Sequence, residues 1–155
     1  MKDETWDDSA QRRIEMIHRG REWNFDGEYM FEKLMNNLVT AVAENDVQTI
    51  SIACWAVADE AARGLHAMGK WDPIGLLDLL VRKQHDYGHD NINAFGQIGL
   101  AVRMCDKIAR YYNLIRRGTQ AKNEPLEDCL VDMVGYGIVS RMHWDGTFNR
   151  DLAMD

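Results

Sequence analysis

The chain is poor in the residues that break, cross-link or embed a polypeptide. Only two prolines occur in 155 residues, which excludes proline-rich linkers and polyproline segments. The three cysteines, Cys54, Cys105 and Cys129, stand far apart, each in an apolar stretch. Such spacing gives neither a disulfide framework nor a clustered zinc site and is the pattern of buried, reduced thiols. No segment reaches the roughly 20 consecutive apolar residues that span a bilayer. The uncharged run Val47 to Ala58 falls short and includes Gln48, Thr49 and Ser51. The acidic start, with Asp3, Glu4, Asp7 and Asp8 around Trp6, lacks the basic cluster and apolar run of a secretory signal. A soluble, cytoplasmic protein is expected. Also missing are a nucleophile elbow, a phosphate-binding Gly-Lys-Ser/Thr loop, a Gly-x-Gly-x-x-Gly fingerprint and a Cys-x-x-Cys pair, so covalent catalysis and dinucleotide redox chemistry are disfavoured.

Positive charge is scarce as well. Eighteen Lys+Arg face 25 Asp+Glu, a formal charge of -7, and no whole-molecule field draws this protein to DNA or to an anionic membrane. The deficit is uneven: residues 82–122 hold eight Lys+Arg and three Asp+Glu, and the rest of the chain is strongly acidic. One basic strip on an acidic protein suits a small phosphorylated ligand.

The hydrophobic content of 46% is enough for one compact domain, 1–155, with a real core. Helical periodicity dominates. Ile50, Cys54, Val57, Ala61, Leu65 and Met68 recur at steps of three and four, placing a helix over about 46–69. Ile14, Ile17 and the stretch Tyr29 to Ala43 read as two more. Asp72-Pro73 is an N-cap followed by proline at the first helical position, and opens a helix through Ile74 to Tyr87 that Gly88 ends. After a loop through His89, Asp90 and Asn91, a helix is expected over about 94–117, closing at Gly118. Thr119 to Glu124 is a connection, Pro125 opens a last helix to about His143, and the tail Trp144 to Asp155 is expected to be loosely ordered. No alternating strand pattern and no long repeat is visible. The expected architecture is an all-α bundle of five or six helices.

Three constellations could carry chemistry. Arg103, Asp106, Lys107 and Arg110 share an arc of about 100° on one helix. They form either a phosphate-contacting face, with Arg as a planar fork and Lys as a point charge, or a solvated face of internal salt bridges. Asp128 and Asp132 stand at i and i+4, where like charges repel unless something neutralises them. Mg²⁺ is one candidate and the docked cations of the preceding helix another. Lys83, His85, Asp86, Tyr87, His89 and Asp90 crowd a helix-to-loop transition. There Tyr87 either stacks on a base or caps the core. Gly88 separates His85 from His89, which disfavours a two-histidine zinc site. Gly96 with Gly99, and Gly135 with Gly137, indicate close backbone approach, expected to bring the basic and acidic faces beside a shared cleft.

Lys83-x-x-Asp86-Tyr87-Gly88, then Arg103-x-x-Asp106-Lys107-x-x-Arg110-x-x-Asn113-Leu114, then Glu124-x-x-Glu127-Asp128-x-x-x-Asp132-x-x-x-Tyr136, together resemble the phage and bacterial family called nucleotide-modification-associated domain. The resemblance covers residues 80–140. That family is distantly similar to the MazG-like all-α nucleotide pyrophosphatases, which use Mg²⁺ held by a Glu-Glu-x-x-Glu helix and a Glu-x-x-Asp helix. Carried over, Gly99-Leu100-Ala101-Val102-Arg103-x-x-Asp106 overlays the first motif and Cys129-x-x-Asp132 the second. Val102, Arg103 and Cys129 stand where acids belong, an exchange that removes metal ligands and favours direct phosphate binding.

The resemblance implies a MazG-like bundle, oligomeric and phage-type, that takes a nucleotide or nucleotide-derived ligand. Arg103, Lys107 and Arg110 would contact phosphate. Lys83, Asp86 and Tyr87 would complete the substrate-binding set, with Lys83 and Tyr87 flanking the base or ribose. Asp106, Asp128 and Asp132 would hold Mg²⁺ or orient the cations. If the protein is an enzyme, an acid of the Asp128/Asp132 pair orients water for attack on a phosphoanhydride. The alternative is a sponge that sequesters a nucleotide immune signal in the host cytoplasm without turning it over. A third reading is a structural bundle whose charges are only salt bridges.

Overall fold

The computed structural model describes residues 3–19, 23–118 and 125–154. Among these, seven helices and a 3-10 turn account for the regular structure, and no strand occurs. In chain order the helices are α1 (Trp6–His18), α2 (Glu28–Ala43), α3 (Val47–Ala67), α4 (Pro73–Tyr87), α5 (Asp90–Asn93), α6 (Gly96–Arg117) and α7 (Leu126–Asp145), with the 3-10 turn at Thr147–Asn149. The all-α architecture follows the periodicity of the sequence. The one addition is α5, a single turn in what reads as a loop.

Local chemistry sets the helix ends. Thr5 and Asp8 form a reciprocal capping box on α1: the Asp8 N–H donates to the Thr5 hydroxyl and the Thr5 N–H to the Asp8 carboxylate. Those bonds hold the Asp8 carboxyl below its ordinary range. Asp46 accepts the Thr49 N–H and Asp72 the Gly75 N–H, starting α3 and α4 where the sequence places them. Gly118 ends α6 in a left-handed conformation (φ 61°).

The centre of the bundle is α7. Cys129, Leu130, Met133, Val134, Gly137, Ile138 and Met142 are all buried, and they point around much of the helix circumference. This helix packs most extensively on α3 and next on α6. The α3 contact depends on a missing side chain: a Cβ on Gly137 would lie 2.3 Å from the Ala58 Cβ and 2.7 Å from the Cys54 carbonyl oxygen. The close approach expected of the glycine pairs is thus real at Gly137, but its partner is α3, not the basic helix. Gly135 faces Leu80 of α4.

The chain's end departs from expectation. Trp144 and Asp145 continue α7, and the tail then folds back onto α1. Phe148 is fully buried and meets Trp6 edge-on, with ring centroids 6.4 Å apart. The Trp6 backbone N–H donates to the Asp151 carbonyl at 2.9 Å, Ser9 and Thr147 share a hydroxyl hydrogen bond at 2.6 Å, and the Ala153 backbone N–H donates to the Asp7 carboxylate. Arg13 pairs with Asp145, and Arg150 with Glu4. A short tail with one Phe and one Leu has no periodicity to read, and its order comes from burial of Phe148 and Leu152. No helix among the described residues is long and apolar enough to cross a membrane.

Candidate functional site

The C-terminal half of α4, the middle of α6 and the middle of α7 converge on a cavity of about 400 Å³, within the range of roughly 300–1,000 Å³ usual for small-molecule pockets. Position sets its polar lining. Lys83 and Tyr87 stand one turn apart on α4, as Asp132 and Tyr136 do on α7, and Arg103 enters from α6. The apolar lining comes from Leu80, Val131 and Val139 and from Trp6, Ile92 and Phe148.

Asp132 is the electrostatic hub. Its side chain is 17% exposed, with Lys83 Nζ 3.4 Å from Oδ1 and Lys107 Nζ 3.0 Å from Oδ2. One carboxylate therefore ties α4 and α6 to α7. A turn earlier, the Arg110 guanidinium donates to Cys129 Sγ at 2.7 Å. Burial pushes the Cys129 thiol up, and the hydrogen bond and charge of Arg110 oppose that rise. Arg103 differs from these cations. It is half-buried, lines the cavity, and makes no hydrogen bond or ion pair with any described residue.

Of the sequence-derived candidates, Lys83, Tyr87, Arg103 and Asp132 line one cavity, and Lys107 joins them through Asp132. Asp86 does not: its side chain is 78% exposed and meets His85 Nδ1 at 3.2 Å. Arg110 stands behind the cavity on Cys129. Asp106 is exposed on the outer side of α6. Asp128 lines a separate cavity of about 330 Å³ with Lys70, Trp71, Arg82 and Glu127. Asp106, Asp128 and Asp132 are thus dispersed, and no group of three or more His, Cys, Asp or Glu side chains that could hold a metal occurs among the described residues. Mg²⁺ requires carboxylate oxygens free to face it, whereas both oxygens of Asp132 face ammonium groups. The residues as placed do not fit that ion.

Sequence reasoning missed part of the cavity lining. Trp6, Asn91, Ile92 and Phe148 come from α1, α5 and the 3-10 turn, and no local pattern links them. Tyr136 closes the third family-like block and could have been named from it. In comparisons with known proteins, the chain matches no family model, no curated protein and no solved structure.

Proposed function

We propose that this protein binds a small phosphorylated nucleotide, or a ligand derived from one, in the cavity between α4, α6 and α7, and holds it without hydrolysis. The observation that carries the reading is Arg103: a half-buried guanidinium, lining the cavity with no partner among the described residues. A guanidinium with no counter-charge among the described residues keeps its donors available to a ligand, and a phosphate matches its fork-shaped donor set. Lys83 lies on the same cavity and Lys107 behind it, both tethered by Asp132, so a phosphate at Arg103 meets a net positive surround. Tyr87 and Tyr136 offer rings for a base or ribose. Retention is favoured over hydrolysis because the acids needed for a metal-bound water are dispersed and Asp132 is engaged by two lysines. A phage protein with this property would withdraw a nucleotide signal from its host.

The test is incubation with a panel of nucleoside mono-, di- and triphosphates with and without Mg²⁺, then removal of excess ligand, heat denaturation and chromatography of what is released. Intact nucleotide is the expected product. Release of monophosphate with pyrophosphate would replace this reading with the pyrophosphohydrolase one, and recovery of no nucleotide at all would remove both.

A further inference from the structure

Arg103 borders a second cavity. This one, of about 310 Å³, is lined by α5 and the first two turns of α6, and it shares Asn91, Ile92 and Arg103 with the cavity described above. The rest of its lining is apolar, with Phe95, Ile98, Leu100 and Val102. Phe95 is 76% exposed and Val102 54%. A single exposed apolar side chain needs no explanation, but Phe95 is also seated. Glycine inside a helix costs about 1 kcal/mol relative to alanine, and α6 carries one at Gly99, where a Cβ would lie 2.8 Å from the Phe95 Cβ. Beyond its chain neighbours, Phe95 is the only described side chain that such a Cβ would approach within 4 Å. Gly99 therefore makes room for Phe95 against the first turn of α6, and the ring is positioned without being buried.

We propose that the ligand carries two nucleoside units joined through phosphate: the phosphate at Arg103, one base beside Tyr87 and Tyr136, and the other on Phe95 in the second cavity. A guanidinium that borders both cavities, and pairs with no described residue, stands where a bridging phosphate has an organic group on either side. A mononucleotide fills only one side. Both cavities lie toward the small end of the range for small-molecule pockets, roughly 300–1,000 Å³, so each takes one unit. An exposed, seated phenyl ring suits a base, since every base has a face to stack on it, and Val102 extends the apolar surface beside it. Phosphodiester-linked, cyclic and oligophosphate-bridged pairs share this chemistry. The inference rests on the function proposed above and names the class of ligand.

Calorimetric titration of the full chain compares nucleoside 5′-monophosphates with three two-base sets: 3′,5′-linked dinucleoside monophosphates, cyclic dinucleotides and 5′,5′-linked dinucleoside polyphosphates. At least one two-base ligand is expected to bind about 100-fold more tightly than any mononucleotide, and the set it belongs to identifies the linkage. Phe95→Ala, at an exposed position, is expected to reduce that preference about tenfold, the size of one base–aromatic stack, with mononucleotide binding unchanged. Gly99→Ala favours the helix but crowds Phe95, and should lower the preference in the same direction, which a change in helix stability alone would not do. Mononucleotides binding as tightly as every two-base ligand would overturn this inference and leave the proposed function standing, and so would a two-base preference unmoved by Phe95→Ala. If no nucleotide binds at all, both this inference and the proposed function fall.

Discussion

The charged end of the cavity and its apolar lining from Trp6, Ile92 and Phe148 are built differently. The charged end draws on three long helices, and its side chains sit at helical spacing: Lys83 with Tyr87 on α4, Asp132 with Tyr136 on α7, Arg103 on α6. The apolar lining is assembled from opposite ends of the chain, with Trp6 of α1 against Phe148 of the 3-10 turn and Ile92 from a one-turn helix. The charged end carries ionic groups that are half exposed and cost the fold little. The apolar lining carries fully buried rings, so stability and site shape coincide there. Substitutions in the apolar lining should therefore act first on folding, and those at the charged end first on binding.

The largest effect expected is in the apolar lining. Phe148→Ala empties a fully buried position and should cost about 3–5 kcal/mol, read as a lower midpoint in urea unfolding. A loss below about 1 kcal/mol would mean that the tail does not seal the bundle. At the charged end, Arg103→Ala should leave the unfolding midpoint within error of the parent, because no described residue pairs with Arg103. It should weaken nucleotide binding roughly 10- to 100-fold, the value of a charge-assisted contact. Destabilisation without a binding change would assign Arg103 to the scaffold.

Within the charged end, Asp132 joins α4 and α6 to α7. Asp132→Asn removes the acid between Lys83 and Lys107 and should lower stability by about 0.5–1 kcal/mol, since the lysines are partly solvated. Melting curves at low salt and at roughly 1 M salt test it, because screening shrinks a genuine ionic contribution. The smallest effect is on pH. Burial lowers the His143 pKa below its ordinary value of 6.5, so below that pH the unfolded chain takes up the proton more readily than the folded one. Stability is therefore full above about pH 6.5 and declines as pH falls through the lower folded-state value. His143→Gln should flatten that part of the melting-temperature profile by no more than about 2 °C.

The same contrast explains what was legible in the sequence. Helices α3, α4 and α6 announce themselves through stripes and through ends such as Asp46, Asp72-Pro73 and Gly118. The face of a long helix can be read from spacing, which picks out Arg103 and Asp132, while Lys83 and Tyr87 stand out by the crowding of polar side chains at a helix-to-loop transition. Spacing left Mg²⁺ or the cations of the basic helix open as the neutraliser of Asp128 and Asp132; Lys107 of that helix pairs with Asp132, but the two acids do not share a site. One turn advances the chain about 5.4 Å along the axis, and on a helix buried around much of its circumference that step carries Asp128 into a different cavity, with Val131 lining both. For the glycines, a spacing rule says that a backbone approaches closely but not which helix it meets. Nothing local marks Trp6 or Phe148 as site residues, since their partnership is a long-range contact between the chain's two ends.

The central claim is that the cavity holds a nucleotide through its own cations and needs no metal. Its most direct test is calorimetric titration of the protein with nucleoside mono- and triphosphates in the presence of a chelator. Saturable binding of at least one nucleotide under those conditions, lost in Arg103→Ala, is the predicted result. Heat that appears only when Mg²⁺ is restored, or binding indifferent to Arg103, would contradict the account.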